Sequence, residues 1–169
     1  MDDLKWLIAR EIPHLRRYAR ALTRDAEEAD DLVQDSLERA LRKRHLWQRR
    51  GTLRGWLFRM LYHVHLNRRR GESRRPTEPS ADGVAAGSAP PAQESYLECL
   101  RVADALDRLP ASQRDAILLV SLEGMPYDEA AWILDIPIGT LRSRLSRGRD
   151  ALRRSISARP KPTLLRRVK

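Results

Sequence analysis

The sequence predicts an all-α protein built as two small helical domains joined by a flexible linker, and three observations predict it. Apolar residues recur at intervals of three and four from Leu4 to about Arg70 and again from Ser95 to about Ile156, with no alternating stretch to suggest a strand. Between them the pattern stops: Pro76, Pro79, Pro90 and Pro91 mix with Ser, Gly and Ala, and Val84 is the sole large apolar residue. The charge follows the same division, with 19 basic against 11 acidic residues over 1–75, 0 against 2 over 76–93, and 14 against 10 over 94–169. The chain therefore divides into a first domain at 1–70, a linker at 71–94, a second domain at 95–158 and a basic tail at 159–169.

In the first domain, a helix carries Leu4, Leu7, Ile8, Leu15, Tyr18, Ala19 and Leu22, with Pro13 expected to bend or interrupt it. A second starts near Asp25 and runs to Leu41, turning Leu32, Val33 and Leu37 inward. It is crowded with carboxylates: Asp25, Glu27, Glu28, Asp30, Asp31, Asp35 and Glu38. A solvated acidic face would account for them, supported by Asp35 with Arg39 and Glu38 with Arg42 at helical spacing. A third helix runs from Leu53 towards Arg69. Leu53, Trp56, Leu57, Met60, Leu61 and Val64 step by three, one, three, one and three into one apolar stripe, which puts Trp56 in the core. Opposite lie Arg59, His63, Asn67 and Arg70, a line of donors fit for phosphates and base edges. Before this helix, His45 to Thr52 is a polar, basic loop around Trp47 that includes Arg49 and Arg50.

In the second domain, Tyr127, Ala130, Ala131 and Leu134 give one apolar face to a short helix after Pro126, with Asp128 and Glu129 in the first turn where the helix dipole favours them. Asp135, Ile136 and Pro137 break it. A further helix begins near Ile138 or Gly139, turning Leu141, Leu145 and Leu152 inward and Arg142, Ser143, Arg144, Arg147, Arg149 and Arg153 largely outward. Two short helices, a tight turn and an arginine-studded second helix make a helix-turn-helix. An ordinary helical hairpin with a solvated basic face is the rival. Residues 142–154, however, carry six arginines against the single Asp150, which repel one another unless anions compensate them.

The totals agree with a polyanionic partner. Thirty-three Lys and Arg against 23 Asp and Glu leave a net charge of +10, mostly arginine, the side chain suited to bidentate phosphate and guanine contacts. No apolar run reaches membrane-spanning length, and the chain opens with Asp2 and Asp3 rather than a secretory segment, so a cytoplasmic protein is expected. Cys99 has no cysteine to pair with, and its apolar and charged neighbours at helical spacing assign it to packing.

The run Gly124-Met-Pro-Tyr-Asp-Glu-Ala-Ala, followed by Ile136-Pro-Ile-Gly-Thr-Leu-Arg-Ser-Arg-Leu-Ser-Arg-Gly-Arg, resembles the C-terminal DNA-binding region of the extracytoplasmic-function (ECF) sigma factors of bacterial RNA polymerase. Leu109-Pro-Ala-Ser-Gln-Arg is similar to the helix that precedes it there. The resemblance implies that Thr140, Arg142, Ser143, Arg144 and Arg147, with outward Arg149 beside them, face the −35 promoter element. Asp135 stands where the family often has glycine, and aspartate tolerates the left-handed geometry such a turn needs.

The run Ala26-Glu-Glu-Ala-Asp-Asp-Leu-Val-Gln-Asp-Ser-Leu-Glu-Arg-Ala-Leu resembles the family's polymerase-binding helix, which docks on a coiled coil of the largest polymerase subunit. By that resemblance Asp31, Gln34, Asp35 and Glu38 are the contacts with core polymerase. The third helix and its preceding loop correspond to the segment that grips the non-template strand of the −10 element. This implies DNA contact for Arg49, Arg50, Arg59, His63, Asn67 and Arg70, with His63 where many members have asparagine. Holding an extruded base costs on the order of a few kcal/mol and consumes no ATP. Members of the family are commonly held inactive by an anti-sigma factor, which the resemblance adds to the expected partners beside promoter DNA and core polymerase.

Three other readings compete. A stand-alone helix-turn-helix regulator with a ligand-sensing or dimerising bundle would not need an acidic helix followed by an arginine-lined one. An enzyme lacks the means: His63 and His65 point to different sides of a helix, His14 and His45 are isolated, and neither a Glu-x-x-His pattern, a cysteine cluster nor a phosphate-cradling glycine loop is present. No catalytic residue, cofactor or metal is therefore expected. A sigma-factor mimic that only sequesters an inhibitor would be expected to lose the arginines of the last helix, which this chain keeps.

Overall fold

The computed structural model describes residues 2–44, 47, 51–72 and 93–157, and within them the chain is helical with no strand. The expected site residues Arg49 and Arg50, most of the linker and the basic tail lie outside the described residues.

Helices α1 (Asp2–Thr23), α2 (Ala26–Arg42) and α3 (Leu53–Glu72) form a three-helix bundle in which each packs on the other two. α1 runs through Pro13 without interruption, so of the bend or break expected from sequence the break does not occur. Pro13 and Ala9, whose carbonyl loses its usual amide partner, are both exposed, so water can serve that oxygen, while buried Leu15 and Tyr18 hold the next turn. The chain reverses at Arg24, whose φ of 64° is left-handed, and Asp25 caps α2 by accepting the Glu28 amide at 2.7 Å. Ala29, Leu32, Val33, Ser36 and Ala40 are the buried positions of α2, so its inner face is narrow and lined partly by small residues.

The second group comprises α4 (Gln93–Asp107), α5 (Ala111–Ile117), a π-helical turn (Leu118–Leu122), α6 (Tyr127–Leu134) and α7 (Ile138–Ser157). The second half of α5 and the start of the π turn face inward: residues 114–119 are all buried. The π turn widens the helix by one residue, so that the Glu123 amide reaches back to the Leu118 carbonyl at 3.1 Å. Gly124, at φ 66°, then turns the chain into α6.

The two groups are packed against each other, and the buried apolar residues form one continuous core that includes both. α3 is the main shared element, touching α1 and α2 on one side and α6 and Asp115 of α5 on the other, and α1 also meets the π-helical turn. Its apolar surface is accordingly wider than the single stripe expected: Phe58, Tyr62 and His65 are buried in addition to Leu57, Leu61 and Val64. Trp56 packs against the core as expected, 6.4 Å from the Trp47 ring. Cys99 corrects the sequence reading: it is exposed, because α4 packs mainly on α7 and leaves Tyr96, Leu97 and Leu100 open as well.

Candidate nucleic-acid and polymerase interface

α6 ends on Asp135, whose φ of 56° and ψ of 47° are left-handed, and the Asp135 amide bonds back to the Trp132 carbonyl at 3.3 Å. Three residues on, α7 starts, with Leu141 and Leu145 buried beneath it. Gly148 is the position of closest approach. A Cβ built there would fall 2.6 Å from Cδ1 of Ile117, so α7 lies directly on α5. The opposite face of α7 is open: Arg142, Ser143 and Arg147 are exposed, and Thr140, Arg144 and Arg149 are half-buried. Ser143 and Arg147 bond to each other at 3.2 Å, one turn apart, and Arg149 approaches the Tyr127 hydroxyl at 3.3 Å. All six expected residues thus lie on the helix that follows the turn, and three of them point fully into solvent.

On α2, Asp31, Gln34 and Glu38 are exposed on one face. Asp31 and Gln34 make no ion pair or side-chain hydrogen bond among the described residues. Glu38 pairs with Arg42 at 3.5 Å, as its spacing predicts. Asp35 does not pair with Arg39. It accepts from Arg68 of α3 at 2.6 Å, because α2 and α3 pack closely enough for that arginine to cross. Of the four carboxylate or amide residues expected to meet polymerase, Asp35 is thus the one also tied to the bundle.

On α3, Asn67 and Arg70 are exposed, and Arg59 and His63 are half-buried. Burial first, and the neighbouring Arg59 guanidinium second, lower the His63 pKa and favour its neutral form. Arg59 donates to the Trp132 carbonyl, lies 4.6 Å over the Trp132 ring and approaches the Asp135 carboxylate at 3.4 Å. It is therefore engaged with the turn between α6 and α7.

Other residues at this junction escaped the sequence reading. Glu123, with its side chain fully buried, accepts from Arg17 Nε at 2.9 Å, from Arg17 Nη2 at 3.0 Å and from Arg54 Nη2 at 3.1 Å. The hydrogen bond to Glu123 and its charge raise the Arg17 pKa. Arg54 also donates to the Glu123 carbonyl at 2.8 Å. Tyr62 donates to Asp115 at 3.1 Å, and burial raises the pKa of both groups. The one available signal for Glu123 was a lone carboxylate directly before glycine at the end of an apolar run. Among the described residues no group of three or more His, Cys, Asp or Glu is placed to hold a metal, and no described helix is long and apolar enough to cross a membrane.

Comparison with known proteins supplies two family models: the sigma2 domain of PhyR matches residues 8–62, and sigma-70 region 4 matches residues 99–152. The ECF RNA polymerase sigma factor EcfG of Rhodopseudomonas palustris is 39% identical over 153 residues, covering 89% of this chain and 83% of its own. The ECF RNA polymerase sigma factor SigM of Mycobacterium tuberculosis is 32% identical over 148 residues, covering 88% and 74%. Among solved structures, the sigma factor RpoE of Bartonella quintana, in complex with the anti-sigma factor NepR, superposes with a TM-score of 0.79 at 31% identity, covering 95% of this chain and 100% of that one. CnrH, in complex with the cytosolic domain of CnrY, gives 0.67 at 27%, covering 92% and 88%.

Proposed function

The chain belongs to the extracytoplasmic-function family of RNA polymerase sigma factors, and from that membership we propose how its surfaces divide the work of promoter recognition. As a sigma factor it binds core RNA polymerase, directs it to promoters bearing −35 and −10 elements, and promotes melting of the DNA there. The observation that carries the division of labour is the coexistence, in so basic a chain, of an exposed acidic face on α2 and an exposed arginine face on α7. The first repels DNA and suits a protein partner; the second suits phosphate and base edges.

In this reading Asp31, Gln34, Asp35 and Glu38 dock on the coiled coil of the largest polymerase subunit. Thr140, Arg142, Ser143, Arg144, Arg147 and Arg149 enter the major groove at −35, with the Asp135 turn setting the angle of α7. Arg59, His63, Asn67 and Arg70, with Arg49 and Arg50 from the preceding loop, hold the separated −10 strand. His63, neutral in its half-buried setting, offers both a donor and an acceptor to a base there. Melting by capture requires no nucleotide hydrolysis, in keeping with a chain that does no chemistry of its own. An anti-sigma factor is the regulator, as in the complex of RpoE with NepR, and work on polymerase and chromosome puts the protein in the cytoplasm.

Run-off transcription on genomic fragments, with core polymerase and with or without the protein, tests the reading. Protein-dependent transcripts from discrete start sites are the expected result. Operator-like binding by the free chain, with no initiation, would instead favour the stand-alone regulator.

A further inference from the structure

The first half of α4 stands out from the second helical group. α4 packs mainly on α7, Ala105 is its one buried side chain among the described residues, and residues 96–100 are all exposed. Tyr96, Leu97 and Leu100 are left 38%, 44% and 41% exposed. Tyr96, Leu100 and Ala103 step by four and three along the side of the helix turned away from Ala105, with Leu97 and Cys99 at its edges. Grouped on successive turns, they form an apolar patch rather than scattered single residues. The helix that carries the patch is acidic, with Glu94, Glu98, Asp104 and Asp107 against Arg101.

The segment that follows α7 has the opposite character. Residues 159–169 carry Arg159, Lys161, Arg166, Arg167 and Lys169 with no acidic residue, and Leu164, Leu165 and Val168 repeat the spacing of Tyr96, Leu97 and Leu100. A positively charged segment leaving α7 is repelled by Arg149, Arg153 and Arg154 of that helix and drawn to the acidic α4 packed beside it. Its reach is sufficient. The six residues between Ser157 and Leu164 span up to about 20 Å when extended, close to the length of about 22 Å that 15 residues give α4. The linker, with 0 basic against 2 acidic residues over 76–93 and Val84 as its sole large apolar residue, matches the patch in neither charge nor side chains.

We propose that residues 159–169 dock on α4 of the same chain, with Leu164, Leu165 and Val168 covering Tyr96, Leu97 and Leu100 and the five cations meeting the carboxylates of α4. The tail is then a tie between the first and last helices of the second group, and its cations are spent inside the molecule instead of extending the arginine face of α7 towards DNA. Charge brings the two segments together and the apolar contact holds them, so raised salt weakens the tie without abolishing it.

Cys99 reports on this patch directly, because it is the one cysteine of the chain and lies exposed at the patch edge. Its rate of reaction with N-ethylmaleimide, an uncharged reagent, is measured by mass spectrometry for three proteins of equal helical circular dichroism. They are the full chain, a chain ending at Ser157, and a triple variant, Leu164→Ser with Leu165→Ser and Val168→Ser, that keeps every cation. Both altered chains are expected to react at least about threefold faster than wild type, the change for a face covered about two-thirds of the time. A peptide of residues 158–169 is expected to slow the truncated chain again. Equal rates in all three proteins would overturn the proposal, and a fall in affinity for a −35 duplex on truncation alongside equal rates would make the tail a DNA-binding arm. Acceleration by truncation but not by the serine variant would also overturn it, since charge alone would then be acting on the thiol. Wild-type protection that disappears on dilution would assign the patch to a second copy of the chain instead.

Discussion

His65 ought to make this protein acid-sensitive in a defined window. The imidazole is 4% exposed on α3, its Nε2 has no hydrogen-bond partner among the described residues, and Arg69, Arg114 and Arg68 surround it. Burial first, and those cations second, lower its pKa to about 4. In the unfolded chain the ring takes up a proton near the ordinary value of about 6.5. As pH falls below that value the unfolded state gains a proton that the folded state refuses, so stability declines until the folded pKa is reached. At about 1.36 kcal/mol per pH unit, the loss between pH about 6.5 and 5 is about 2 kcal/mol, and it approaches about 3 kcal/mol near pH 4. Against a total of about 5–15 kcal/mol that is a large fraction. Asp115 opposes it at the lower end. Its carboxyl pKa is raised by burial, so it binds a proton in the folded state before the unfolded one and returns some stability as pH drops through that folded value. The clean window is therefore the upper one. Urea unfolding followed by far-UV circular dichroism at pH about 7 and about 5 should show wild type losing about 2 kcal/mol more than His65→Leu. An equal loss in the two proteins would refute the argument that burial of this imidazole sets the acid limb.

Other outcomes follow from single side chains. Asp31→Lys should abolish binding to core polymerase with no change in the melting curve, measured by co-elution with core enzyme; it is a cleaner probe than Asp35, whose bond to Arg68 would be lost as well. Arg147→Ala should weaken binding of a −35 duplex across sequences and reduce the slope of log affinity against log salt by about 1, if its guanidinium meets a phosphate, in a fluorescence-anisotropy titration. Leu141→Ala, at a fully buried position under the turn, should cost about 2–5 kcal/mol of unfolding free energy in urea titrations. Asp25→Ala, which removes the cap on the Glu28 amide, should cost about 1 kcal/mol in the same assay.

What the sequence made legible was local. The start of α2 near Asp25, its acidic face, the break at Asp135 and the arginine face of α7 are each encoded within a few residues, and the structure places those elements within a residue or two of where spacing puts them. The misses are contacts between residues far apart along the chain. Phe58, Tyr62 and His65 do not fit one apolar stripe, because Phe58 meets Tyr18 of α1 and Tyr62 and His65 face Asp115 and Arg114 of α5, about fifty residues later, which periodicity within α3 cannot reveal. Glu123 reads as one more acidic residue until Arg17 and Arg54 are brought to it, 106 and 69 positions away. Asp35 was assigned a partner on its own helix, whereas its ion pair goes across to Arg68 of α3. Cys99 was assigned to packing by the composition around it, yet α4 has too few neighbours to cover that side.

The contact at Gly148 bears on how promoter preference can change in descendants of this chain. A side chain at 148 would meet Cδ1 of Ile117 and Cβ of Gln113, so the recognition helix keeps its close seat on α5 only while this position stays glycine. Retargeting is then confined to exchanges on the outward side, one reading position at a time, while the seat beneath stays invariant. A lineage diversifying in this way would vary at positions such as Arg142 and Ser143 and keep the bare backbone at 148.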